Sequence, residues 1–93
     1  MKKCVKFFKE DEDSIITNLI VDDEMNLPDE ALVKLLFVKL KSIDGIFKEN
    51  LISISNGEIR YYEGDIIKEA LYNVIPYERM ENKFKDEKPI KLF

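Results

Sequence analysis

GDIIKEALYNVIP, residues 64–76, decides how the chain closes. Asp65 stands where an N-cap would, Ile67, Ala70, Leu71 and Val74 recur at helical spacing, and Pro76 supplies a stop. The spacing predicts an amphipathic helix. YERMENKFK, residues 77–85, follows with Tyr77, Met80 and Phe84 at intervals of three and four, which predicts a short further helix.

Immediately upstream, LISISNGEIRYY (51–62) contains Asn56-Gly57, a pair that readily takes the positive φ angles of a two-residue hairpin turn. That turn sets the register: Ser55 opposes Glu58, Ile54 opposes Ile59, Ser53 opposes Arg60 and Ile52 opposes Tyr61. Ile52, Ile54, Ile59 and Tyr61 then share one face. At the other end of the chain, KCVKFFK (3–9) and SIITNLIV (14–21) are β-branched and aromatic runs of strand length around an acidic turn, and they read as a second hairpin. The run 14–21 is apolar on both faces, as a central strand would be.

Between the hairpins, LPDEALVKLLFVKLKSIDG (27–45) begins with Pro28, places Asp29 and Glu30 at the positive end of a helix dipole and ends near Gly45. It predicts a helix over 27–43 whose apolar residues exceed a single surface stripe. Lys34 and Lys41 mark its wet edge and Phe37 lies between them, so Phe37 is the expected contact of a homo-oligomer. The whole predicts an α+β fold: a small single-layer antiparallel sheet of about four strands with two or three helices, in the order β-β-α-β-β-α(-α), forming one domain over residues 1–93.

Composition narrows the function classes. At 93 residues with 45% hydrophobic and 37% charged residues, the chain is long enough for an unaided core and too apolar for disorder. Cys4 is the single cysteine, which excludes an internal disulfide and a multi-thiolate zinc site and suits a reducing cytoplasm. Acids at 10–13 interrupt the basic start before an export signal develops, and no apolar run approaches the ~20 residues of a membrane span. With no histidine, no tryptophan, no phosphate-cradling glycine loop and no imidazole to activate Cys4, the chain reads as a non-enzyme without cofactor. Tyr61, Tyr62 and Arg60 suggest base stacking, but Tyr61 belongs to the buried face and the net charge is −4, so nucleic acid is disfavoured.

The charge layout is uneven. Residues 10–30 hold nine carboxylates and no basic residue, in two clusters at either end of the 14–21 strand: Glu10, Asp11, Glu12, Asp13 and Asp22, Asp23, Glu24. Neither cluster has the spacing and glycine of a calcium loop, so no metal is expected. Such acids can act as gatekeepers that keep a sticky strand from pairing between chains. Interspersed lysines would do that with less repulsion, and their absence points to a partner with a basic surface, for which opposite fields speed encounter. All seven acids are therefore candidate partner-binding residues.

Two resemblances follow. Pro89-Ile90-Lys91-Leu92-Phe93 is similar to the Gln-Leu-x-Leu-Phe motif with which bacterial replication proteins bind the sliding clamp: Leu92 and Phe93 match in type, Ile90 nearly so, and Pro89 stands where the motif has Gln. Docking of this tail on the protein's own core is the favoured alternative. In size, acidity and lack of catalytic residues the chain resembles small acidic phage-encoded inhibitors, anti-CRISPR proteins among them, a likeness of profile and not of motif. The leading expectation is thus a small cytoplasmic protein-binding module, an inhibitor in kind, that occupies a basic surface. A structural or oligomer-forming protein built on helix 27–43 is the rival, and a small enzyme without recognisable motif ranks third.

Overall fold

The computed structural model describes residues 1–10, 14–80 and 88–92. Its main element is a curled six-stranded sheet, β1 (Lys2–Phe8), β2 (Ile15–Asp22), β5 (Leu51–Ser55), β6 (Glu58–Glu63), β7 (Ile66–Pro76) and β8 (Ile90–Lys91). The spatial order is β5-β6-β7-β1-β2-β8, antiparallel except for the short β2–β8 pair. One helix, α1 (Asp29–Lys39), packs across it, and β3 (Ser42–Ile43) with β4 (Ile46–Phe47) forms a separate small hairpin.

This corrects the expected four-strand sheet with two or three helices. Residues 66–76, predicted as helix, are the longest strand of the protein. Four β-branched residues, Ile66, Ile67, Val74 and Ile75, lose χ1 freedom in a helix and pack well on a pleated surface. The pairing decides the outcome. The first half of β7 pairs with β6 from Glu63↔Ile66 to Glu58↔Leu71, and the second half pairs with β1 from Phe8↔Leu71 to Lys3↔Pro76. The strand therefore welds the two hairpins into one sheet, and ladder bonds override the helical preference of Glu69-Ala70-Leu71. Gly64-Asp65, read as a helix start, is the two-residue turn of the β6–β7 hairpin, with Gly64 at φ +62°. The helix predicted over 77–85 reduces to one 3-10 turn at Tyr77–Arg79, and residues 81–87 lie outside the described residues.

Helix α1 is shorter than the expected 27–43 for a related reason. Asp44 and Gly45 take φ +44° and +86°, turning Ser42–Ile43 back onto Ile46–Phe47, so Gly45 belongs to a hairpin and not to a helix stop. The two hairpins read from sequence are present. β1 and β2 pair from Lys2↔Asp22 to Phe8↔Ile15, and β5 and β6 pair as Ser55↔Glu58, Ile54↔Ile59 and Ser53↔Arg60. A bulge then moves Tyr61 opposite Leu51 and leaves the expected partner Ile52 exposed.

Val5, Phe7, Val21, Ile54, Ile59 and Tyr72 point from the sheet into the main core, where they meet Leu32, Val33, Leu36 and Phe37 of α1. Phe37 is 2% exposed and packs edge-on against Phe7, with ring centroids 6.1 Å apart. The expectation that it lies on a wet face and contacts a second chain is overturned: its surface is spent inside the domain. The opposite sheet face carries a smaller cluster of Cys4, Ile20 and Met80, flanked by Ile75 and Tyr77. β2 is thus covered on both faces, in keeping with its two-sided apolar pattern. It is nevertheless next to the sheet edge, because only β8 lies beyond it. The tail docks at home. Ile90 and Lys91 pair with Val21 and Asp22, Leu92 is buried in the main core, and Lys39 Nζ reaches the Leu92 carbonyl at 3.5 Å. Phe93 lies outside the described residues.

Candidate functional site

The fold separates the two acidic clusters and gives them different surroundings. At the end of β2 that leads to α1, the triplet Asp22, Asp23, Glu24 is mostly structural. Asp23 is fully buried, a position a carboxylate holds only when charge and lone pairs are satisfied. Its Oδ2 accepts from Lys3 Nζ at 3.0 Å and from the Leu27 amide at 2.7 Å, while Oδ1 accepts from the Met25 amide at 3.2 Å. Lys3 also donates to the Leu27 carbonyl at 3.3 Å. One side chain thereby closes the β2–α1 loop, assisted by Asn26 at φ +52°. Burial pushes the Asp23 carboxyl up, but the Lys3 ammonium and the Leu27 and Met25 amides outweigh that and hold its pKa below the ordinary carboxylate value. Asp22, half-buried, lies 3.5 Å from the N-terminal ammonium, and only Glu24 is fully presented to solvent.

At the opposite end, Asp11, Glu12 and Asp13 lie outside the described residues. Glu10 is exposed just beyond β1, and it does not stand alone. Glu58, which opens β6, and Glu69, in the middle of β7, line the same open concavity of about 280 Å³, floored by Ala70 and Leu71. Each acid comes from a different part of the sheet because β7 brings the second hairpin against β1. Glu58 and Glu69 alternate outward from the buried Ile59 and Ala70. Among the described residues the lining holds three acids and no base. The nearest cation in the ladder, Arg60, pairs with Glu69 at 3.3 Å with both side chains exposed, a contact of small worth in water.

Of the four sequence-chosen acids among the described residues, then, Asp23 is a buried loop clamp, Asp22 an ion-pair partner, and Glu10 and Glu24 are exposed charges at opposite ends of β2. Glu58 and Glu69 were missed. Glu58 was within reach, since the Asn56-Gly57 register sends it away from the Ile54/Ile59 face; Glu69 required residues 66–76 to be a strand. No family model matches the chain, and no curated protein or solved structure is detectably similar to it. Function has to be argued from its own chemistry. Among the described residues no helix is long and apolar enough to cross a membrane, which leaves β-barrels unaddressed.

Proposed function

We propose that the protein is a small binding module that meets a basic surface of another protein with its Glu10 end, in the manner of an inhibitor that occupies a site, and that it does so in the cytoplasm. The reading is supported above all by the convergence of Glu10, Glu58 and Glu69 on one concavity with no basic residue in its lining among the described residues. The sequence adds three further acids at 11–13. Acids placed only to protect a strand edge need not gather across three strands. Clustered like charge costs the free protein some repulsion, which a cationic partner relieves while gaining a faster encounter.

The rival reading, an oligomer held by α1, has less to work with. Leu32, Val33, Leu36 and Phe37 are buried within the chain, and Val38 is the one large apolar residue of the helix left exposed. The test is a salt-dependent capture. Immobilised wild type should retain a host protein at low ionic strength and release it as salt rises, and Glu10→Gln/Glu58→Gln/Glu69→Gln should retain markedly less. Capture that is indifferent to both salt and the triple substitution contradicts the reading.

A further inference from the structure

A second concavity, sharing no lining residue with the acidic one, lies between the tips of the β3–β4 and β6–β7 hairpins. It is open, about 450 Å³, and its lining residues include the aromatic Phe47 and Tyr62, the acidic Asp44 and Glu63, and Tyr61, whose ring packs against the main core on the other face of β6 from Tyr62. Phe47 is 51% and Tyr62 46% exposed, so both offer ring surface to a ligand. Among the described residues no lysine or arginine lines it.

The walls are set by the backbone. Asp44-Gly45 and Gly64-Asp65 are two-residue turns held by positive φ, and both hairpins are fixed by direct strand pairing, so the aromatics and acids are arranged before any ligand arrives. Burial, and after it the Glu63 charge, pushes the Tyr61 hydroxyl above its ordinary value.

We propose that this groove is an anchor site for an arginine side chain presented by a partner protein. Rings and carboxylates around one opening match a guanidinium in every respect: it is weakly hydrated, stacks flat on aromatic faces and donates in a planar fork to carboxylates. A lysine ammonium, strongly hydrated and without a flat face, uses the rings less well. An apolar ligand would leave Asp44 and Glu63 desolvated without partners, at a cost. The proposal stands independently of the acidic end, since it rests on a different cavity, though one cationic partner can reach both.

The experiment titrates the ¹⁵N-labelled full chain with acetyl-Gly-Gly-Arg-Gly-Gly-amide and with the same peptide carrying citrulline or lysine in place of arginine. Shifts should concentrate on the amides of Gly45, Phe47, Tyr62 and Gly64, with citrulline binding at least about fivefold weaker and lysine weaker than arginine. Asp44→Asn/Glu63→Gln should weaken the arginine peptide by a similar factor. That variant protects the fold, because asparagine tolerates the positive φ of position 44 at least as well as aspartate. Glu78→Gln, an exposed acid outside both concavities, should leave the titration unchanged. The assignment is overturned if these four amides do not move, if citrulline or lysine binds as tightly as arginine, or if Glu78→Gln weakens binding as much as Asp44→Asn/Glu63→Gln.

Discussion

The two ends of β2 carry acidic clusters that are alike in composition, and the fold uses them in opposite ways. At one end Asp23 is sealed from solvent, and its carboxylate accepts from Lys3 and from two loop amides. At the other, Glu10 faces water beside two more exposed carboxylates, one of which pairs with the equally exposed Arg60. The lesson is that a carboxylate's role follows from what the chain folds around it. Lys3 is near enough to neutralise Asp23 because β1 and β2 pair with Lys3 opposite Val21, two residues from Asp23. Among the described residues no ladder pair sets a lysine opposite Glu10.

The largest effect expected from this contrast is at Asp23. Asp23→Asn leaves the Lys3 ammonium in a mostly buried site without its counter-charge, and it turns one accepting atom into a donor facing an N–H group. Removing one partner of a buried pair should cost about 3 kcal/mol, and in a domain of this size a melting temperature lower by about 15 °C. A melting temperature within a few degrees of wild type would place Asp23 on the surface with the others and dissolve the comparison.

Acid should expose the same asymmetry. Because the folded-state pKa of Asp23 lies below its ordinary 3.8, its contribution to stability is full above that value and is lost as pH falls through the lower, folded-state pKa. The gap in urea midpoint between wild type and Asp23→Asn should therefore be constant near neutrality and narrow below about pH 4. A gap that widens on acidification would mean that burial, and not Lys3, controls this carboxyl. Smaller still is Asp22→Asn, which removes an exposed contact with the N-terminal ammonium and should cost about 0.5 kcal/mol or less, a loss that 1 M salt abolishes.

How much of this was legible in the sequence depends on whether a signal was local. Asn56-Gly57 announces its hairpin through φ alone, and three of the four predicted cross-strand pairs are present. The run 14–21 announces burial on both faces. Residues 64–76 mislead because Asp65, Ala70 and Leu71 satisfy helical spacing, while what makes them a strand is pairing with β6 over the first half and with β1, more than sixty residues earlier in the chain, over the second. Asp44-Gly45 is the same type of turn as Asn56-Gly57 but follows a helix, where a glycine is also a natural stop; two local meanings compete and tertiary packing of Ile43 and Ile46 into the core settles it. Phe37 fell on the wrong side for want of knowing that the sheet curls to meet it. The acidic clusters were legible as charge and illegible as roles, since sequence spacing says nothing of which carboxylate a lysine from another strand will reach.

Equilibrium urea unfolding of Asp23→Asn beside Glu10→Gln/Glu58→Gln/Glu69→Gln puts the division of labour to its most direct test. The first variant should lose about 3 kcal/mol with an unchanged denaturant slope, and the second should stay within about 0.5 kcal/mol per site of wild type, as for ordinary surface changes. Comparable losses in the two variants, or a larger loss in the triple one, would contradict the claim that one acidic end builds the fold and the other is left free to bind.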